Sequence, residues 1–226
     1  MSDREPRGAR RKRESRSRLL DAALKLMAER GMEGVTINEL TEAADMGLGS
    51  FYNHFESKEA LHAALLSSVF EEYANAVDRL IAAVPDPAIA ISFGVRHTVL
   101  RARKEPLWGQ LLLRESYSSR VLKAGPSVRL LRDLQKGTAS GRFKSPDLTL
   151  SFLAAAGTVL AAIAAACQDV SSSPAGALGL AESNIPERTA TMLLSNLGVP
   201  WDEAVNIARL PLPTLHSEDL ATSFQE

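Results

Sequence analysis

With 226 residues, the chain is long enough for one large core or two small domains. Apolar residues make up 45% and charged ones 23%, which excludes a disordered chain, and the 5% aromatic share with recurrent Ala and Leu favours an all-α fold. The net charge of −1 hides an asymmetry: residues 1–18 hold eight basic and three acidic side chains, leaving an acidic body, and such an arm is suited to a polyanion.

The single cysteine, Cys167, excludes an intramolecular disulfide and a multi-cysteine zinc site. It lies in an Ala-rich stretch and reads as a small core residue of a protein in a reducing, cytoplasmic compartment. The arginine-rich N-terminus has no apolar segment of the secretory kind.

In chain order, residues 1–15 read as a basic disordered arm. A helix is expected from Arg16, its apolar stripe formed by Leu19, Leu20, Ala23, Leu24 and Met27, with Gly31 ending it in the left-handed region. Thr36-Ile37-Asn38-Glu39 is a capping box that opens a second helix with Ile37, Leu40, Ala43 and Ala44 inward. Asp45-Met46-Gly47 is a turn, and a third short helix covers Leu48 to His54 with Phe51 and Phe55 facing in. Ser57 caps a fourth helix that runs along Leu61, Leu65, Val69, Tyr73, Val77 and Leu80 to Pro85. Beyond the Pro85-Asp86-Pro87 break, helices are expected at 87–103, 106–118, 126–139, 147–168 and 186–208, the last bent at Gly198-Val199-Pro200. Residues 171–179 read as a loop, and 211–226 as a fraying tail.

Residues 148–167 have the length of a membrane span and no charge, but their Ala, Ser, Thr and Gly gain little from lipid and no aromatic belt flanks them. They read as a helix buried on several sides at a protein interface, with no membrane role.

A short, rigidly mounted helix with hydrogen-bonding side chains and glycines suits a DNA groove. The segment LLDAALKLMAERGMEGVTINELTEAADMGLGSFYNHFESKEAL within residues 16–62 resembles the DNA-binding domain of TetR/AcrR-type transcriptional regulators. The Gly31-to-Thr36 spacing, the GSFYNHF block and the SKEAL helix start carry the resemblance, which covers about a fifth of the chain. It departs at the turn, where Ala44-Asp45-Met46-Gly47 replaces the usual Ala-Gly-Val-Ser, and at Thr41, where Ala is usual. Asp45 is therefore expected in the left-handed region, which Asp tolerates better than most residues. Gly47 removes a capping and phosphate-binding hydroxyl.

The resemblance implies a helix-turn-helix domain over residues 16–62 and a helical effector-binding and dimerisation domain over 63–210. It also implies a homodimer on a palindromic double-stranded DNA operator, released by an as yet unnamed small-molecule effector; the alternative is control by a protein partner or by abundance. The matching Tyr52 and His54 would contact phosphate, joined by Thr36 and Lys58. Leu48, Gly49, Ser50 and Asn53 are candidates for reading bases, with Asn38 beside them. Phe93, His97, Leu100, Trp108, Leu111, Leu112, Tyr117 and Phe152 are the candidate pocket. Arg96, Arg101, Arg103 and Lys104 read as a solvated helix face. Small side chains from Ala154 to Ala165, with Ala190, Leu193, Leu194 and Leu197, are candidates for a four-helix dimer interface. No catalytic constellation, cofactor motif or metal-ligand spacing stands out, so an enzyme is not expected.

Overall fold

The computed structural model describes residues 7–116, 125–167 and 184–215, and every described element is helical. Helix α1 spans Arg7–Arg30, so the helix starts nine residues before the expected Arg16 and residues 7–15 are no disordered arm. Arg, Lys and Glu are good helix formers, and a helix already nucleated by the buried Leu19, Leu20, Ala23 and Met27 extends through them at little cost. Gly31 at φ 74° ends α1, its amide bonded to the Met27 carbonyl at 2.9 Å.

Helix α2 spans Ile37–Ala43, α3 Leu48–Tyr52 and α4 Lys58–Leu66. Leu40 is fully buried, but Ala43 is exposed and Thr41 takes its place inside, its hydroxyl bonded to the Asn38 carbonyl at 2.9 Å. Helix α3 is two residues shorter than expected, because the Phe51 carbonyl accepts both the His54 and Phe55 amides in a closing turn.

The expected long helix from Ser57 to Pro85 is interrupted. A π-helical turn at Ser67–Glu71 separates α4 from α5, Glu72–Ile81. The wider turn goes with two unusual pairings: the Val69 carbonyl accepts the Trp108 indole N–H at 3.2 Å, and Glu71 reaches the Gly125 amide.

Asp86 caps α6, Pro87–Lys104, through the Ala88 amide at 2.8 Å. Helix α7 spans Pro106–Glu115, α8 Gly125–Ala139 and α9 Leu148–Cys167. The expected 186–208 helix is two, α10 at Ile185–Asn196 and α11 at Trp201–Ala208, split where Gly198 takes φ 85°. Residues 210–215 do not fray: Leu210, Leu212 and Leu215 pack on the core. The 171–179 loop lies outside the described residues.

One continuous core runs from Leu19 and Phe51 through Leu65 and Phe70 to Trp108 and Ile163, joining the first four helices to α5, α6 and α7. A second lies between α6, α8, α9, α10 and α11, around Ile91, Leu134, Phe143 and Leu194. The end formed by α1 to α4 is thus mounted on the C-terminal helices by shared apolar packing.

Candidate nucleic-acid interface and ligand cavity

The α2–α3 pair is fixed from both sides. Thr36 Oγ1 lies 3.3 Å from the Glu39 amide, and Glu39 Oε2 accepts the Thr36 amide and hydroxyl, each at 2.8 Å. Arg30 pairs with Glu39 at 2.7 Å. These donors hold the Glu39 carboxyl at about 2, well below its usual value. At the turn, Asp45 sits at φ 51°. The Arg18 guanidinium grips this turn, bonding the Ala44 carbonyl, the Asp45 carbonyl at 2.6 Å and Asp45 Oδ2 at 3.3 Å. Gly47 opens α3 without a side-chain cap.

Phe51 is fully buried and Phe55 nearly so, their ring centroids 6.0 Å apart. This anchoring turns the rest of α3 outward: Leu48 is 48% and Tyr52 56% exposed, and Gly49 and Asn53 are exposed too. A Cβ at Gly49 would meet nothing within 4 Å, so its surface is open to a close partner. Ser50 is half-buried; Asn38 and Thr36 are exposed on the first turn of α2. Thr36, Tyr52 and Lys58 border one shallow groove between the starts of α2 and α4.

Two candidates differ from expectation. The Lys58 ammonium donates to the Met32 and Val35 carbonyls at 2.9 and 3.0 Å, so it staples the α1–α2 loop and keeps only one proton for a phosphate. His54 is half-buried with Nδ1 enclosed and unpaired. Burial, then the charges of Lys12 and Arg16, push its pKa down, which disfavours the charged ring. Those neighbours bring the basic start of α1 beside α3, with the Arg16 guanidinium 5.2 Å over the Phe55 ring. Sequence reading left residues 7–15 as a free arm because helix propensity alone does not show what lies alongside.

In the C-terminal helices, a cavity of about 270 Å³ lies between α5, α6, α8 and α9. Of the expected pocket residues, Leu112 and Phe152 line it. Trp108, Leu111 and Phe93 are core instead, Trp108 packing edge-on against Phe70 and Tyr73. Leu100 does not reach the cavity, and Tyr117 lies outside the described residues. His97 faces the C-terminal segment, bonding Pro213 backbone. The wall has Tyr73, Thr98, Asp78, Arg129 and Asp133, which sequence reading missed, since each looked like an ordinary helix position until the helices met. Of the four basic residues expected on a solvated face, Arg103 and Lys104 are exposed, but Arg96 is 5% exposed, bonded to the Leu210 carbonyl at 2.7 Å and to Glu187 at 3.1 Å, and Arg101 stacks 4.9 Å over both Tyr73 and Trp108. Among the described residues, no three His, Cys, Asp or Glu side chains converge as a metal site.

The sequence matches the model of the bacterial regulatory proteins of the tetR family over residues 19–65, and that of the tetracyclin repressor-like C-terminal domain over 86–210, more than half of the chain. The chain belongs to the tetR family. The family consists of DNA-binding regulators rather than enzymes. This tetR-family chain is 36% identical over 72 residues to the transcriptional repressor DhaR of Mycobacterium sp. (strain GP1), covering 31% of the chain and 36% of DhaR. It is 31% identical over 107 residues to the repressor KstR of Mycolicibacterium smegmatis, covering 47% and 52%. Its matches thus span about a third to a half of these curated relatives. Similarity to the crystal structure of RolR in complex with resorcinol covers 92% of the chain and 100% of RolR, at 32% identity and a TM-score of 0.65.

Proposed function

We propose that the chain is a repressor that binds a palindromic operator as a homodimer and releases it when a small molecule fills the C-terminal cavity. The observation that carries this is the end of α7. Leu112 and Ser116 line the cavity. Between them, Arg114 Nε donates to the Ala28 carbonyl at 2.6 Å, its Nη2 bonds the Glu29 carbonyl, and Glu115 meets His62 Nε2 at 3.0 Å. One helix end therefore touches the cavity, the C-terminus of α1 and the middle of α4. A ligand that shifts it favours a different placement of the DNA-binding helices, and affinity falls by the difference in ligand binding between the two states.

The names of DhaR and KstR support repression, and the resorcinol complex of RolR supports a small-molecule ligand. Dimerisation is supported by α9. Only Ala155 and Ile163 of that helix are buried within the chain, while Leu150 and Leu153 are 62% and 56% exposed in a row with Ala154, Gly157 and Ala161. Exposed Met192 of α10 lies on a helix that packs against it. Two copies pairing these faces make a four-helix interface and set the recognition helices about 34–36 Å apart, one turn of DNA.

On the DNA, Tyr52, His54 and the last Lys58 proton meet phosphates, whereas Thr36 has committed both its amide and its hydroxyl proton to Glu39 and serves as the cap; Leu48, Gly49, Ser50 and Asn53, with Asn38, face base edges. The site of action is the cytoplasm. Selection of bound sequences from random duplexes, followed by footprinting, should return a palindrome protected by a dimer in sedimentation. Equal affinity for selected and random duplex would sink the proposal.

A further inference from the structure

The hydrogen bonds already made by the cavity wall narrow the ligand class, granted that this cavity is the effector site. Thr98 Oγ1 donates its one proton to the Gly94 carbonyl at 2.7 Å. Its 3.0 Å contact with the Tyr73 hydroxyl must then use the Tyr73 proton. Tyr73, which lines the cavity, thus offers a ligand lone pairs and no donor.

The second polar point is an ion-pair cluster joining α5 to α8. Arg132 forks Asp78 through Nη1 and Nη2 at 2.9 and 2.8 Å and reaches Asp133 through Nε and Nη2 at 2.8 and 3.0 Å. Arg129 Nε adds a 3.3 Å bond to Asp78, and Arg129 also pairs with Glu71 at 2.9 Å. Asp78 and Asp133 both line the cavity. A carboxylate has about four lone-pair sites, and Asp78 accepts three of these bonds and Asp133 two, so both keep acceptor capacity. Burial disfavours the Asp78 charge, but the two guanidiniums outweigh it and hold the carboxyl below its usual value.

The cluster is balanced in charge: Glu71, Asp78 and Asp133 stand against Arg129, Arg132 and Lys136, the last 3.9 Å from Asp133. It gives no net pull on an ion. A ligand carboxylate would face two carboxylates, and a ligand ammonium would face Arg129. The remaining wall is largely apolar, including Val77, Ile91, Leu112, Phe152 and Leu160. At about 270 Å³ the space is at or below the small end of ligand sites, room for one or two rings. Tyr73 and Asp78 are five residues apart on α5, about 7.5 Å along its axis, and both line the cavity, so the two acceptors stand at separate points of its wall.

We propose that the cavity selects a neutral ring compound bearing two hydroxyl groups, one donating to the Asp78–Asp133 carboxylates and the other to the Tyr73 oxygen. The probes are catechol, resorcinol, hydroquinone, phenol, 1,3-dimethoxybenzene and benzoate, titrated calorimetrically into the full chain without DNA. At least one dihydroxybenzene should bind, phenol about tenfold more weakly, and the dimethyl ether and benzoate about a hundredfold more weakly. Tyr73→Phe should weaken the diol about tenfold and phenol less than threefold; should it fail to fold, Asp133→Asn, which replaces an ionised acceptor at constant shape, should weaken the diol about tenfold. Benzoate or the dimethyl ether binding as tightly as the diols overturns the inference. If all six fail while another small molecule of a wide panel releases selected operator DNA, the inference falls and the effector reading stands; if no small molecule releases it, both fall.

Discussion

His97 and Asp45 show how a single side chain takes its chemistry from what folds over it. Burial, against one backbone bond to Pro213 and with Arg96 and Lys104 adding repulsion, pushes the His97 pKa from 6.5 down to about 4, and its Nε2 is enclosed without a partner. The unfolded chain gains a proton near pH 6.5, whereas the folded chain gains it only near 4. Its contribution to stability is therefore present above pH 6.5 and is lost as pH falls towards 4. Urea unfolding at pH 7, 6 and 5 should show a steeper decline for the unaltered chain than for His97→Gln; parallel curves would count against the burial argument. Asp45 was legible from its place in the turn, because a one-residue reversal between two helices demands a left-handed residue. Lys58 was not: its spacing predicts a phosphate contact, and only the fold brings the Met32 and Val35 carbonyls to its ammonium.

Among the elements, periodicity located α2, the start of α4, α6 and the start of α7 closely, since each carries its own cap or proline. It failed at two places where the cause is not local. The π-helical turn at Ser67–Glu71 answers to Trp108 and Gly125, residues far along the chain. Ala190, Leu193, Leu194 and Leu197, expected at a dimer interface, are buried within the chain against α6, α9 and α11. The α7–α9 crossing gives a prediction at this scale. A Cβ on Gly109 would lie 2.4 Å from Cys167 Sγ and 3.0 Å from Ala102 Cβ, so the two helices touch through a missing side chain. Cys167 is half-buried there, with burial raising its thiol pKa. Gly109→Ala should cost about 1–3 kcal/mol by overpacking, a fall of several degrees in Tm. Adding Cys167→Ala should restore part of that loss, because it removes the nearer clash; additive effects in the double-mutant cycle would contradict this packing.

For the whole molecule, the decisive arrangement is that cavity, α7 and the DNA-facing helices form one connected body. Arg114 is the outermost link, a cation bonding the last carbonyls of α1, where the helix dipole also favours it. Arg114→Ala should leave effector affinity within about threefold while reducing the effector's weakening of operator binding, a coupling normally on the order of 1–3 kcal/mol. Operator titrations with and without saturating effector measure this. Undiminished coupling in the variant would show that the signal travels elsewhere, through His62 and Glu115 or through the dimer face.

The sequence alone determined the all-helical class, the helix-turn-helix with its capping box, and the outward set of Leu48, Gly49, Tyr52 and Asn53. These follow from short-range rules: helical periodicity, caps and two buried phenylalanines that orient a single turn. The tertiary structure alone decided the cavity wall, the Asp78–Arg129–Arg132–Asp133 cluster, the staple made by Lys58 and the basic flank that α1 lays beside α3. In each case the partners are separated by tens of residues, and a side chain's role there depends on which distant group desolvates or pairs with it, which no local pattern encodes.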